Sequence, residues 1–324
     1  MKKPLQIILT ALLILIGAIY LYVNRSQLAV LRQIQIHDFC ILFAVILAFF
    51  YISGYTFKLI VGLLNVELSV SETIGLSILT NFGNYLAPVR PGAALKAVYL
   101  KASKGLPYAK FTSVLAVNTF LAFFMTGLAG LILILLLIKE NVQIPIILPF
   151  VCLFLIIGSV IAFACKMPNI KARGRITQLL QSGISGFQAI NVQKRKLFWI
   201  CLTFVAQFLW CALINEAVFR SLGIPIGLLS ALVIGVFAAI ANFFTITPNN
   251  LGIQEAVIAY LLSITGFDFT TGVIGAGLSR VIHMIITFSL APLFVHTLFK
   301  SEDLKLTGIL LKTTKTKDSK PDAI

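Results

Sequence analysis

The sequence is poor in polar residues. Only 11% of its 324 residues are charged, whereas 59% are hydrophobic, and a soluble domain would carry about 25% charged residues. No polar stretch exceeds about 30 residues, which is too short for a soluble domain that lacks disulfides or metals. Several apolar runs reach the roughly 20 residues that cross a bilayer. The composition therefore predicts an all-α polytopic membrane protein.

Acidic residues are the scarcest charged class. The chain has 11 Asp and Glu against 26 Lys and Arg, which gives a formal net charge of +15. In a soluble protein this excess would point to nucleic acid. Here the cations lie in the loops between apolar runs, as is typical of the cytoplasmic side of a membrane protein. We therefore expect no nucleic-acid partner.

Cysteine, histidine and catalytic motifs are also sparse. The five cysteines form no Cys-x-x-Cys pair, so neither a disulfide framework nor a thiolate metal site is expected. The three histidines are too scattered for a metal cluster. No carboxylate pair at membrane depth, no Gly-x-Ser-x-Gly motif and no Walker motif occurs. We expect no metal, no cofactor, no ATP hydrolysis and no enzymatic activity in this chain.

Six apolar runs are long enough to be full transmembrane helices. The first, 5–23, follows two lysines but has no small-residue cleavage site, so it is predicted to be an uncleaved helix rather than a signal peptide. It runs from inside to outside, and both chain termini are predicted to be cytoplasmic. The other five predicted spans are 39–64, 111–138, 146–165, 197–219 and 272–299.

Helix breakers interrupt two further apolar segments. Residues 73–87 reach only about 22 Å before the chain turns and continues as 93–101, and the apolar run 226–247 is followed by a short helix at 253–265. The two segments align without a gap at an offset of 160 residues. Matched helix breakers in two halves of a chain indicate discontinuous membrane segments that face a common site. The breakers are Pro88, Pro91, Gly92, Pro248 and Gly252.

The charges of the loops suggest how the two interrupted segments enter the membrane. We predict two re-entrant hairpins, the first from inside and the second from outside, in an inverted repeat with half-repeats at about 39–165 and 197–299. An eight-span arrangement, in which each hairpin crosses the membrane, is the main alternative. The single membrane domain is predicted to cover 1–300, with a basic disordered tail at 301–324.

The basic cytoplasmic segment 166–196 links the two half-repeats. Its apolar positions have helical spacing, which fits a helix on anionic headgroups and equally a helix packed against the bundle. These positions are Ile176, Leu179, Leu180, Ile184 and Phe187.

Charged and amide residues at the two breaks are candidate binding residues. Arg90 and Lys96 flank the first break, where two cations beside a helix start suit a phosphate; the alternative is a role in topology alone. At the second break, Asn249 and Asn250 suit the turn conformation. Glu255 caps the following helix, is a proton- or cation-linked carboxylate, or pairs with Arg280.

Arg280 and His283 lie on one face of the last predicted span. A charge placed inside a membrane span costs at least about 2.5 kcal/mol, so Arg280 is a functional candidate. His283 is either a ligand or part of a helix–helix hydrogen bond. The lone amides Asn84, Asn118 and Gln207 are interpreted as packing contacts.

These motifs resemble the family of the lysylphosphatidylglycerol synthase transmembrane region, a flippase-type membrane domain, from about residue 10 to 300. The resemblance is carried by Asn84–Gly92 with Lys96, by Pro248-Asn-Asn-Leu-Gly-Ile-Gln-Glu255 and by Leu278-Ser-Arg280. The second motif looks like the family's Pro-x-x-Leu-Gly-x-x-Glu and is the most specific.

Two positions depart from the family pattern. Ala93 stands where the family often has an acidic residue, and Val117-Asn118-Thr119 stands where it often has Glu-Arg and Asp. The aminoacyl-transferase domain that some members append does not occur in this sequence, so lipid aminoacylation is not implied.

The resemblance implies a lipid-handling protein of the bacterial cytoplasmic (inner) membrane. The first hypothesis is translocation of an anionic phospholipid or lipid-linked intermediate, whose headgroup the candidate residues would hold. The alternative is a non-transporting partner or regulator of an envelope polysaccharide or glycosyltransferase system, docked through 166–196. A membrane enzyme acting on lipid-linked phosphate lacks a general base. A homo-oligomer remains open.

Overall fold

A computed structural model describes residues 34–86, 91–164, 184–185, 187–188, 193–243 and 247–299. Within these ranges the chain forms nine α-helices and no strand, so the prediction of an all-α polytopic membrane protein is confirmed. The predicted first helix 5–23 and the tail 301–324 lie outside the described residues, as do Pro88 and Arg90. The helices are α1 (Ile36–Gly62), α2 (Val70–Leu86), α3 (Pro91–Lys104), α4 (Tyr108–Lys139), α5 (Ile147–Ala164), α6 (Lys194–Ser221), α7 (Gly227–Ala241), α8 (Ile253–Ile264) and α9 (Phe269–Leu298).

Five of the described helices are long and apolar enough to cross a membrane. They are α1, α4, α5, α6 and α9, and they coincide with the five predicted spans that lie in the described residues. Many large apolar side chains on α4, α5 and α6 face outward, among them Leu135, Phe154 and Phe198, which are each more than 60% exposed. A lipid environment is therefore needed to cover these surfaces.

The first interrupted segment folds back on itself as a hairpin of α2 and α3. Pro91 is the first residue of α3, a position where the missing N–H costs nothing. Close to this tip the backbones of the two helices touch, because a Cβ on Gly92 would lie 2.0 Å from the Thr80 carbonyl oxygen. At the other end, Lys104 Nζ lies 2.8 Å from Glu72 Oε1. The start of α2 and the end of α3 therefore lie side by side.

The second interrupted segment contains α7 and α8, which pack against each other. A 3₁₀ turn at Pro248–Asn250 lies between them. Asn249 and Asn250 have positive φ angles of 46° and 55°, a conformation that asparagine tolerates better than most residues. Asn250 Nδ2 donates to the Ala241 carbonyl oxygen at 2.7 Å and so satisfies the end of α7. The helix therefore ends at Ala241, although the apolar run continues to 247.

The helix bounds repeat at the same offset as the breakers. A shift of 160 residues carries α1–α4 to 196–222, 230–246, 251–264 and 268–299, which nearly coincide with α6–α9. The packing between the halves follows the same correspondence. α2 packs against α9, and their counterparts α7 and α4 also pack against each other. Each half therefore contributes a span, a hairpin and a second span. The first helix of each hairpin packs against the second span of the other half.

The corresponding helices α1 and α6 pack directly against each other and run antiparallel. Thr56 Oγ1 donates to Thr203 Oγ1 at 2.9 Å, and Trp210 Nε1 donates to the Val45 carbonyl oxygen at 2.8 Å. A later residue of α6 thus contacts an earlier residue of α1, as expected for antiparallel helices. Gln193, just before α6, completes this series by donating to the carbonyl oxygen of Leu63, just after α1.

Only a few residues of the basic link 166–196 are described. Phe187 is buried, and its ring stacks on Phe163 and meets Phe120 edge-on. At this position the link packs against the bundle, the second of the two arrangements considered above.

Candidate functional site

The tips of the two hairpins meet at a cavity of about 480 Å³. α2 contacts the 3₁₀ turn of the second hairpin, and the cavity walls are completed by α1, α4 and α9. Six of the seven residues predicted to bind substrate line this one cavity; the seventh, Arg90, lies outside the described residues. The six are Lys96, Asn249, Asn250, Glu255, Arg280 and His283.

Arg280 is bound on several sides by the second hairpin. It lies 11 residues after the start of α9, about 17 Å along the helix, and its side chain is only 10% exposed. Its Nε forms an ion pair with Glu255 Oε1. Its terminal nitrogens donate to the Asn249 carbonyl oxygen at 2.9 Å and to Gln254 Oε1 at 3.0 Å. This network offsets the cost of a cation at that depth.

Glu255 both pairs with Arg280 and caps α8, two of the roles considered for it. One carboxylate oxygen pairs with Arg280, and the other accepts a hydrogen bond from the Gly252 backbone N–H at 2.8 Å. Gly252 has a φ of 83°, a conformation that suits glycine. The carboxylate therefore caps α8 and neutralises Arg280 at the same time.

The two asparagines of the turn have different functions in the fold. Asn249 contributes its backbone carbonyl to Arg280. Asn250 uses its Nδ2 atom to close α7, while its buried Oδ1 atom has no hydrogen-bond partner among the described residues. A buried acceptor without a donor is costly, so Asn250 leaves one open hydrogen-bonding position beside the cavity.

Lys96 is the cation of the cavity that has no carboxylate. Its Nζ lies 4.1 Å from the centroid of the Phe57 ring, and no acidic side chain in the described part of the chain lies within ion-pair distance. The opposite charges of Arg280 and Glu255 cancel each other. The charged residues described in the cavity lining therefore sum to one positive charge, which belongs to Lys96.

His283 faces the same cavity from α9. Its Nδ1 atom lies 2.8 Å from the Ser279 carbonyl oxygen, and its ring meets Phe50 edge-on at 6.0 Å. A carbonyl oxygen only accepts, so Nδ1 carries a proton and Nε2 of the neutral ring is an acceptor. This hydrogen bond lies within α9, not between two helices.

Several lining residues were not among the candidate ligands. Tyr85, next to the first break, lines the cavity together with Asn249 and Arg280. Asn118 and Asn242 also line the cavity. Asn84 lines the cavity too, and its Oδ1 accepts a hydrogen bond from the Gly92 N–H at 3.2 Å.

The sequence of the chain matches a known protein family. The family described as Lysylphosphatidylglycerol synthase TM region matches residues 7–291, which is most of the chain. The chain belongs to this family. Ala93 lies in the cavity lining, directly after the Gly92 crossing, so that position contributes no acidic group to balance Lys96. Comparisons with curated proteins and with solved structures gave no match.

Proposed function

We propose that this membrane protein translocates an anionic phospholipid or lipid-linked intermediate across the bacterial cytoplasmic membrane. The observation that carries the proposal is Lys96, a cation without a carboxylate in a cavity between two hairpin tips. Removing an ammonium from water is unfavourable unless an anion compensates it. A phosphate headgroup would supply that anion, and Arg280 retains N–H groups beyond those already engaged.

We further propose that the halves form an inverted repeat of re-entrant hairpins. α2 and α3 reach only about 26 Å and 21 Å, short of the roughly 30 Å of a hydrocarbon core. The antiparallel pairing of the corresponding helices α1 and α6 supports an axis in the membrane plane. The hairpins would then enter from opposite faces, and their tips would meet near the midplane, where transporters of this kind place their substrate.

The proposed step breaks no covalent bond. The headgroup would leave one leaflet, replace water contacts by Lys96 and the amides of the cavity, and leave on the other side. The acyl chains would stay in the lipid beside the apolar outer surfaces of the spans. A docking role for the link 166–196 remains an alternative, and both termini are proposed to be cytoplasmic.

Lys96→Met tests the proposal in proteoliposomes that contain phosphatidylglycerol with a fluorescent acyl chain. A membrane-impermeant quencher bleaches only the outer leaflet unless the protein moves the lipid. We expect the variant to move the lipid at least about tenfold more slowly, equivalent to about 1.4 kcal/mol. Unchanged movement by Lys96→Met protein that is stably folded would overturn the proposal.

Lys101→Met is the matched control. Lys101 also stacks on an aromatic ring, since its Nζ lies 4.3 Å from the Tyr108 centroid, but it is exposed and does not line the cavity. Lys101→Met removes the same charge from the same helix. Because Lys101 lies outside the cavity, the variant should leave the rate of lipid movement unchanged. If both variants slow lipid movement equally, the effect is due to the loss of surface charge in general and not to the cavity.

A further inference from the structure

A second cavity of about 360 Å³ adjoins the first. The two share lining residues, among them Ser53, Asn118 and Gln254, so the same side chains border both cavities. Both volumes lie in the range of small-molecule sites. The described lining of the second cavity contains no Asp, Glu, Lys or Arg.

Amide side chains supply much of the polarity of this second cavity. Asn118 makes no hydrogen bond within the described residues, and Gln207 donates Nε2 to Thr56 Oγ1 at 2.7 Å, which leaves its Oε1 free of a described partner. Asn215 donates to the Ala231 carbonyl oxygen at 3.3 Å. These amides therefore present both unused donors and unused acceptors. The amides of the cavity are Asn118, Gln207, Asn215, Asn242 and Gln254.

This mixture of groups suits a hydroxyl ligand better than an ammonium. A hydroxyl both donates and accepts, as an amide does. An ammonium only donates and needs a carboxylate when it leaves water. The carboxylate described in the two cavities is that of Glu255, and Arg280 already neutralises it. The space beyond Lys96 therefore favours an uncharged, hydroxyl-rich group.

We propose that the substrate is a phosphodiester lipid with a neutral polyol headgroup, glycerol or a sugar, and that this headgroup occupies the second cavity while Lys96 holds the phosphate. The inference rests on the proposed function, because it assigns a substrate class to the same site. It also predicts selection against headgroups that carry an ammonium, even at the same net charge.

Phosphatidylglycerol and phosphatidylserine provide the test, since both are monoanions, but the first has an uncharged polyol headgroup whereas the second carries an ammonium and a carboxylate there. In the proteoliposome assay with fluorescent acyl chains, we expect phosphatidylglycerol to move at least about tenfold faster, a difference of about 1.4 kcal/mol. Asn118→Leu and Gln207→Met remove hydrogen-bonding groups at nearly constant volume. Each should lower this ratio several-fold, whereas Ser159→Ala, on α5 outside both cavities, should not.

The outcomes separate this inference from the proposed function. If neither lipid moves, the proposed function is wrong and this inference with it. Equal movement of both lipids overturns the headgroup assignment alone, and so does a ratio that Asn118→Leu and Gln207→Met leave unchanged. Native mass spectrometry of the two lipids bound to the purified protein gives a second measurement for any variant that reconstitutes poorly.

Discussion

The Arg280 guanidinium on α9 forms an ion pair with the Glu255 carboxylate in the first turn of α8. This contact joins the last span to the tip of the second hairpin, and a hydrogen bond from Arg280 to Gln254 reinforces it. Both charged side chains are mostly buried, at 10% and 15% exposure. Removal of either partner would therefore leave a poorly solvated charge.

A double-mutant cycle with methionine tests this pair. Arg280→Met and Glu255→Met should each lower the free energy of unfolding by about 3–5 kcal/mol, because each leaves the other charge unpaired. The double variant should recover part of that loss, but not the loss of the Gly252 cap. Thermal unfolding in detergent measures the effect. A double variant whose destabilisation equals the sum of the single ones would show that the two residues act independently.

The crossing of α2 and α3 leads to a prediction about Gly92. An alanine Cβ there would lie 2.0 Å from the Thr80 carbonyl oxygen, so the hairpin must open. We expect Gly92→Ala to destabilise the protein by about 1–3 kcal/mol or more and to impair lipid movement. Gly158→Ala on α5 is the control, because its Cβ meets nothing within 4 Å and alanine favours a helix. Equal melting temperatures for the two variants would contradict the observed crossing.

Cysteine labelling with a membrane-impermeant maleimide tests the entry of the hairpins. In a background without native cysteines, Glu67→Cys and Ala102→Cys should react from one side of the membrane, whereas Leu228→Cys and Phe269→Cys should react from the other. Leu86→Cys, at the tip of the first hairpin, should stay unreactive from the side opposite Glu67. Reaction there would favour the eight-span arrangement, and labelling of all four ends from one side would exclude the inverted repeat.

Glu72 gives a prediction about pH. This carboxyl lies at the start of α2, outside the five spans; burial would raise its pKa, but hydrogen bonds from Lys104, Tyr99 and Ser69 outweigh this and lower the pKa to about 2. A lowered pKa means that the stabilisation is present above the ordinary value of 4.5 and is lost as the pH falls toward 2. The melting temperature should therefore fall over this range more steeply for the wild type than for Glu72→Gln. If the melting temperatures of the two proteins fall in parallel as the pH is lowered, the ionised Glu72 carboxylate does not stabilise the fold.

Much of the architecture could be predicted from the sequence because its signals are local. Length and apolarity marked five described spans, and Pro91, Gly92 and Gly252 marked the hairpin tips. The end of α7 at Ala241 was not predictable in the same way. The side chain of Asn250, nine residues away, satisfies its last carbonyl, and apolarity does not reveal such a contact.

The candidate site was predictable only in part. A charged residue at depth such as Arg280 is unusual enough to be recognised in the sequence alone. Tyr85 and Asn242 carry no such signal, since a tyrosine or a lone amide is ordinary in membrane helices. Their place at the cavity follows from the meeting of two hairpins that are about 160 residues apart.

Helix α5 has no counterpart among the described helices of the second half. In the proposed re-entrant arrangement the first hairpin, which lies between α1 and α6, returns to its own side, so the crossings between these two helices are those of α4 and α5. Their number is even, and this parity makes α6 run opposite to α1. Without α5, an otherwise identical second half would be inserted in the same orientation as the first, and both hairpins would open to one compartment. In the proposed arrangement, α5 thus sets the relative orientation of the two halves.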